Sequence, residues 1–173
     1  EDDAVAIAAL KEAERILEES CQLSISNDPE TLGLGGAINK RLHERTGDIV
    51  YFEKSIDFYE RGFYVKHDYY NGINAAFVLD MLAQQEEEEA KRAGLDSETA
   101  RGRREGARLI REEIVRSVPP LLTKPELKWL AKEWWFYATV GEAYFGLGTS
   151  DHANYDEAVK WLVNKPRDAG IRG

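Results

Sequence analysis

The chain has 173 residues, of which 43% are hydrophobic and 32% charged, a composition that excludes both a disordered chain and a membrane-embedded one. Its formal net charge of −9 argues against a nucleic-acid partner, because phosphate contacts need a surplus of Lys and Arg. No apolar run reaches the roughly 18 residues that would suggest a membrane span, so no membrane partner is expected either.

The single cysteine and the single methionine indicate the cellular compartment and the extent of the protein. Cys21 is the only cysteine, which excludes an internal disulfide and a cysteine-based zinc site and favours a reducing, cytoplasmic compartment. The chain opens with Glu1, its only methionine is Met81, and no secretory signal is visible. We therefore expect a fragment of a longer cytoplasmic protein.

Apolar residues recur with the period of an α-helix, which predicts an all-α fold of about seven antiparallel helices. The first helix is expected to begin at Asp2 or Asp3 and to end before Asn27. The second begins at Pro29 and ends at Thr46-Gly47, and a third follows. The residues expected to face inward are Val5, Ala9, Ala13, Ile16 and Leu17, then Leu34, Ile38 and Leu42, then Phe52, Ile56, Tyr59 and Phe63.

Four more helices follow in the prediction. The fourth begins near Asp68 and runs into an acidic stretch at 86–89, which is expected to be a solvated helix end or a loop. Ser97 caps the fifth, Pro125 opens the sixth, and a short seventh covers 155–163 before Pro166. The fourth helix carries Tyr70, Ile73, Phe77 and Leu82 at helical spacing, and the fifth carries Ala107, Ile110, Ile114 and Val118. The sixth is rich in aromatic residues, which are Trp129, Trp134, Trp135, Phe136, Tyr137 and Tyr144.

Two helix pairs carry the small-residue pattern of tetratricopeptide repeats, which are helix pairs of about 34 residues. Gly141 is paired with Ala158 near the end of the chain, and Gly35 is paired with Ser55 near its beginning. Small residues at these points let two helices approach closely. We therefore predict a single tetratricopeptide-like α-solenoid over 1–173, with a leading helix at 1–27 and repeats at 29–66, 68–118 and 124–166.

A narrower resemblance rests on Tyr59-Glu60-Arg61-Gly62-Phe63 followed by Asp68-Tyr69-Tyr70-Asn71-Gly72-Ile73-Asn74-Ala75-Ala76. This segment resembles the TRAFs-binding domain in the central regulatory region of apoptosis signal-regulating kinases and its bacterial relatives. The resemblance covers roughly residues 30–163 and implies an array that binds signalling adaptors and primes a neighbouring domain. The insert at 86–96 and the loop around Asp151 depart from the kinase pattern, so the kinase's adaptor is not implied as a partner.

Three groups of side chains are candidate partner-binding residues. The first, on the fourth helix, is Tyr69, Tyr70, Asn71 and Asn74. These residues lie either on the inner face of the array or, for the two asparagines, at a helix cap and against a neighbouring helix. The second group is the aromatic pair Trp134 and Trp135, because four consecutive aromatic residues cannot all be buried on one helix face.

The third group is a basic stripe on the fifth helix, formed by Arg101, Arg104, Arg108 and Arg111. Arg101 can pair with Glu105, and Arg108 with Glu112, one helical turn away. Arg104 and Arg111 have no acid three or four positions away. They are therefore either neutralised by the acidic stretch at 86–89 or available to an acidic partner segment.

No group of residues has the pattern of a catalytic or cofactor site. The histidines, His43, His67 and His152, have no metal-ligand spacing, and Gly33–Lys40 lacks the phosphate-loop pattern. The sequence thus predicts a non-enzymatic interaction and regulatory module of a larger stress or immune-type signalling protein, without cofactor or metal. Its partner is expected to be a protein or peptide, with an acidic segment as one possibility. The alternative is a sensor that binds a small molecule or nucleotide on the concave face.

Overall fold

A computed structural model describes residues 3–164, which form α-helices and two 3-10 helices with no strand among them. The α-helices are α1 Asp3–Cys21, α2 Pro29–Thr46, α3 Ile49–Lys66, α4 Tyr69–Arg92, α5 Glu98–Ser117, α6 Trp134–Leu147 and α7 Ala153–Val163. The 3-10 helices are Pro119–Thr123 and Pro125–Lys132. The predicted all-α, tetratricopeptide-like fold is confirmed. Within the described residues no helix is long and apolar enough to cross a bilayer.

Aspartate side chains begin three consecutive helices. Asp28 accepts a hydrogen bond from the backbone N of Thr31 at 2.8 Å, and Asp68 accepts one from the backbone N of Asn71 at 2.8 Å. Asp48 does the same for α3. Each carboxylate satisfies an N–H that has no partner within its own helix. These local caps explain why α2 and α4 begin where the sequence predicts.

The chain divides into two compact units, Glu1–Ala107 and Arg108–Gly173, and the division falls within α5. In the first unit α1 packs on α2, α2 on α3, α3 on α4, and α2 also contacts α4. Its core is formed by Leu23, Leu32, Leu42, Phe52, Ile56, Tyr59, Phe63, Val78 and Leu82. In the second unit α6 packs on α7, with Leu130, Phe136, Val140, Ala143 and Ala158 buried.

Small residues bring the two helices of each predicted pair together. A Cβ on Gly141 would lie 2.7 Å from Cγ of Leu162, four residues after Ala158. In the first pair a Cβ on Gly36 would lie 2.7 Å from the ring of Tyr59, four residues after Ser55. The structural equivalent of Gly141 is therefore Gly36, one residue later than the predicted Gly35.

Ser55 strengthens this contact in the first pair. Its hydroxyl donates to the carbonyl oxygen of Gly36 at 2.8 Å, and the side chain is fully buried. The predicted Gly35 is also tightly packed, since a Cβ there would lie 2.6 Å from Leu23. Close helix approach is thus confirmed at Gly36, whereas Gly35 packs against Leu23 of the turn that follows α1. The division of the chain into repeats remains a prediction.

Several predicted inward faces are wrong. Val5, Ala9 and Ile16 are exposed, whereas Ala13 and Leu17 of the same predicted face are half-buried. Leu34, Tyr70 and Phe77 are also exposed. Both α2 and α4 carry apolar residues on more than one side, so spacing alone did not distinguish the core face.

The sixth helix was predicted to begin at Pro125, which is also incorrect. Pro125–Lys132 is a 3-10 helix, Glu133 is extended with φ −93° and ψ 107°, and α6 begins only at Trp134. The acidic stretch at 86–89 is helical and belongs to the last part of α4. The predicted fifth helix is confirmed, with Ala107, Ile110, Ile114 and Val118 buried and Ser97 bonded to the backbone N of Ala100. Pro166 lies outside the described residues.

Candidate partner-binding surface

One side of α4 carries a stripe of side chains that the core leaves uncovered. Tyr70 is 51% exposed and Phe77 is 47% exposed, while Asn74 and Met81 are half-buried. These four residues are spaced by four, three and four positions, which places them on one face of the helix. α4 therefore presents an aromatic stripe to solvent along about three turns.

α2 lies beside this stripe and extends it. Leu34 is 51% exposed, and the ammonium group of Lys40 lies 5.3 Å from the centroid of the Phe77 ring. The Tyr70 ring packs over Gly33, where a Cβ would lie 3.5 Å from its Cε1 atom. We call the surface formed by Leu34, Lys40, Tyr70, Asn74 and Phe77 the α2–α4 face.

The positive charges of this face have no carboxylate partner within residues 3–164. Neither Lys40 nor the exposed Arg41 forms an ion pair there. A cation over an aromatic ring at this distance contributes about 0.5–1 kcal/mol at an exposed site. The face is therefore apolar and aromatic at its centre with positive charge at one end.

Two buried polar atoms lie in the layer below this face. The Tyr59 hydroxyl and Oδ1 of Asn71 are both inaccessible and have no hydrogen-bond partner among the described residues. Burial is the main cause that raises the pKa of Tyr59, with Tyr70, Arg41 and Glu44 as its charged or polar neighbours. A buried hydroxyl without a partner costs free energy, so Tyr59 is held there by its ring rather than by its oxygen.

The asparagines of the predicted first group differ in accessibility. Asn71 is fully buried, fits between Gly33 and Gly62, and donates to the carbonyl oxygen of Pro29 at 2.9 Å. Asn71 is thus a packing residue, because no partner can reach it. Asn74 is half-buried and donates to the carbonyl oxygen of Tyr70 in its own helix, not to a neighbouring helix.

The two tyrosines of that group also differ. Tyr70 lies on the α2–α4 face, as described above. Tyr69 is half-buried, and burial followed by the charge of Asp68 raises the pKa of its hydroxyl. The structure therefore places Tyr70 and Asn74 on one surface and leaves Tyr69 beside it.

The basic stripe is largely neutralised within the chain. Arg104 donates to Glu87 at 2.9 Å and to Asp80 at 3.2 Å. Its hydrogen bond holds the pKa of the Glu87 carboxyl below its usual range. The acidic end of α4 is therefore the partner of Arg104, which is the first of the two alternatives that the sequence left open.

The other arginines of the stripe follow the same trend. Arg101 pairs with Glu98 at 3.8 Å, and Arg108 pairs with Glu112 as predicted. Arg111 is only 8% exposed and packs against Gly146. A buried guanidinium cannot meet an incoming segment, so Arg111 has a structural role.

The neighbouring Arg103 was not singled out in the sequence but joins the same network. It donates to Glu86 at 2.9 Å and lies 3.9 Å from Glu53 of α3. Nearby, burial is the main cause that raises the pKa of Glu60, and the adjacent Asp57 raises it further while Arg103 opposes both. Glu60 is thus an acid held in an environment that disfavours its charge.

The aromatic pair lies in the second unit. Trp134 is 45% exposed, whereas Trp135 is half-buried and its indole N–H donates to Glu133 at 2.9 Å. The Trp135 ring contacts the ring of Trp129, with centroids 6.3 Å apart. Trp129 is itself 52% exposed, so the accessible tryptophans are Trp129 and Trp134.

The three histidines pack against other residues or lie at helix ends. His43 is buried, stacks on Phe52, and its Nδ1 lies 2.9 Å from the carbonyl oxygen of Asp48. His67 ends α3 in a left-handed conformation, and His152 precedes α7. Among residues 3–164 no group of three His, Cys, Asp or Glu side chains could hold a metal ion.

Sequence reasoning missed Leu34, Lys40 and Phe77 as surface residues. Leu34 and Phe77 were assigned to the core because they are large and apolar and recur at helical spacing. One signal was available in α4. Its apolar residues surround the whole helix, with Ile73, Ala76, Leu79 and Leu82 already providing a core stripe. The remaining large residues must then lie on the opposite side.

A comparison with known protein families gives a match within the first unit. Residues 3–79, from the start of α1 into α4, match the family described as Tetratricopeptide Repeats-Sensor. Comparisons with curated proteins and with solved structures gave no match. Repeats of this type are generally non-catalytic. The match supports a tetratricopeptide-type repeat domain in this part of the chain, and that repeat type suggests a protein-interaction or sensor module.

Proposed function

We propose that this chain is the interaction and regulatory module of a larger signalling protein and that the α2–α4 face binds a segment of a protein partner. The observation that carries the proposal is the exposure of Tyr70 and Phe77 on one side of α4 and of Leu34 on the adjacent helix α2. Contiguous apolar side chains with a polar surround are typical of protein-binding surfaces. Lys40 at one end would favour a partner with an acidic residue beside its apolar ones.

The size of the face sets the expected affinity. Full burial of a large apolar side chain contributes about 1.5–3 kcal/mol, and these three are already about half-buried, which leaves roughly 1 kcal/mol for each. Ordering the partner opposes this gain. We therefore propose a reversible contact that needs several residues of the partner, as suits a regulated assembly.

The signalling role is supported by the sequence resemblance to the regulatory region of apoptosis signal-regulating kinases. The residues of that resemblance, from Tyr59 to Ala76, lie in α3 and α4 and include Tyr70 of the face. In this proposal, occupation of the face alters the activity of a domain attached to this chain.

Site-specific photocrosslinking tests the partner's nature. A benzophenone amino acid replaces Phe77 in the protein expressed in its own cells, and the same replacement at Tyr64, which is 60% exposed on α3, serves as the control. We expect a protein adduct at Phe77 that is absent at Tyr64. No adduct at Phe77, or equal adducts at both positions, would refute the proposal.

A small-molecule or nucleotide sensor is the second candidate, favoured by the word "Sensor" in the description of the matched family. Tyr70 and Phe77 could stack on a base, and Lys40 and Arg41 could bind phosphate. A nucleotide at about 100 times its Kd should stabilise the chain by about 2.7 kcal/mol. A panel of nucleotides screened by thermal shift tests this candidate, and Lys40→Glu/Arg41→Glu should remove any rise in Tm. An unchanged Tm with every nucleotide would reject it.

A further inference from the structure

A second charged surface lies in the second unit, around the 3-10 helix Pro125–Lys132. Lys124, Lys128 and Lys132 are all exposed, and none forms an ion pair within residues 3–164. Trp129 and Trp134, at 52% and 45% exposure, lie among them in the sequence. We call these five residues the Lys–Trp patch.

The geometry of the 3-10 helix explains why the patch is exposed. With three residues per turn, Leu127 and Leu130 fall on one edge, and Leu130 is buried. Lys128 lies on the second edge, and Trp129 and Lys132 lie on the third. The helix is thus anchored through its leucines and presents lysine and tryptophan to solvent.

The positive charge of the patch contrasts with the neutralised arginines of α5. Glu133, the nearest acid after Lys132, accepts the indole N–H of Trp135. Three of the nine residues 124–132 are lysines and one is a glutamate, so this segment is locally positive although the whole chain carries a formal charge of −9. An acidic ligand group would give them charge-assisted contacts.

We propose that the Lys–Trp patch binds an acidic peptide segment that carries a large apolar or aromatic residue between its carboxylates. The apolar residue packs on the exposed tryptophans, and the carboxylates meet the lysines. Tryptophan is among the residue types that most often dominate binding energy at protein interfaces. This inference does not depend on the α2–α4 face, which lies in the other unit.

The surroundings favour a peptide over other anions. Glu126 is exposed on the same edge of the 3-10 helix as Trp129 and Lys132. A nucleic-acid backbone or an anionic bilayer brings uniform negative charge, which Glu126 and the net charge of the chain would repel. A peptide can place its carboxylates opposite the lysines only.

Calorimetry with a defined probe tests the proposal. The probe is the acetylated and amidated peptide Glu-Glu-Asp-Phe-Leu-Glu-Glu-Ala, and its matched control has Gln and Asn in place of the acids. We expect a Kd of about 10–100 μM for the acidic peptide, with quenching of tryptophan fluorescence, and weaker binding as salt rises from about 0.05 to 0.5 M. The neutral peptide should bind at least about tenfold more weakly.

Charge-reversed variants localise the binding. Lys128→Glu/Lys132→Glu should raise the Kd of the acidic peptide by about tenfold or more. The control Lys11→Glu/Lys66→Glu makes the same change of charge on exposed residues of the first unit and should leave the affinity unchanged. Both variants should keep the wild-type circular dichroism spectrum, because all four lysines are exposed.

Several results would overturn the proposal. They are the absence of binding at about 1 mM peptide, equal binding of the neutral peptide, or equal loss of affinity in both variants. Tighter binding of oligo-deoxythymidine or of phosphatidylserine vesicles than of the peptide would also overturn it. Either result would identify the patch as a nucleic-acid or membrane surface instead.

Discussion

Replacement of Gly36 by alanine tests the closest helix contact of the first unit. The new Cβ would lie 2.7 Å from Cε1 and Cζ of Tyr59, whereas carbon atoms normally approach no closer than about 3.5 Å. Tyr59 is fully buried and its ring is rigid, so α2 and α3 must move apart. Overpacking of this kind costs about 1–3 kcal/mol, and the better helix propensity of alanine returns about 1 kcal/mol.

Gly102 provides a matched control, because it also lies inside a helix but has no atom within 4 Å of the position of a Cβ. Gly102→Ala should gain about 1 kcal/mol from propensity alone and raise Tm by about 2–4 °C. Gly36→Ala should instead lower Tm by up to about 8 °C.

Thermal unfolding followed by circular dichroism gives both values. Tyr59→Leu, combined with Gly36→Ala, should recover part of the loss relative to the sum of the two single changes. If Gly36→Ala raises Tm as much as Gly102→Ala does, the close approach of α2 and α3 is not present in solution.

Three other variants, two single and one double, test further features of the structure. Tyr59→Phe should leave the free energy of unfolding unchanged or raise it by about 1 kcal/mol, since the hydroxyl has no partner among the described residues. A loss above about 2 kcal/mol in urea unfolding would show that the hydroxyl forms a hydrogen bond in solution. Glu60→Gln should raise Tm at pH 7, because a raised pKa means that the folded state disfavours the charged carboxyl. The gain in Tm should vanish as the pH falls below the pKa of a glutamate in the unfolded chain, about 4.3. A gain in Tm that does not depend on pH would contradict this explanation. Arg104→Glu/Arg111→Glu should melt well below wild type, because Arg111 is buried and a carboxylate there would lie against Gly146; an unchanged Tm would restore the original hypothesis of a free basic stripe.

Local signals predicted the helices well. Asp28 with Pro29, and later Asp68, fix the beginnings of α2 and α4 through hydrogen bonds that span only three residues. Such signals are complete within a short stretch of sequence. The beginning of α6 had no such signal, because Glu133 makes no capping bond and its carboxylate is engaged by Trp135.

The candidate site was harder to predict, because its features depend on contacts distant in sequence. Arg104 lacked a local acid, yet its partner Glu87 lies 17 residues earlier on the neighbouring helix. Phe77 has the same spacing and chemistry as a core residue, and only the packing of α4 shows that it is exposed. Helical periodicity identifies stripes, but it does not tell which stripe a neighbouring helix covers.

Hydrogen exchange, measured with and without the partner segment that crosslinking identifies, tests whether the α2–α4 face binds the partner. We expect the added protection to concentrate in residues 30–44 of α2 and 70–84 of α4, and we expect Leu34→Ser/Phe77→Ser to abolish it. The exposed pair Val50→Ser/Tyr64→Ser on α3 should leave this protection intact. Protection that spares both helices, or that persists in Leu34→Ser/Phe77→Ser, would show that the α2–α4 face is not where this domain binds its partner.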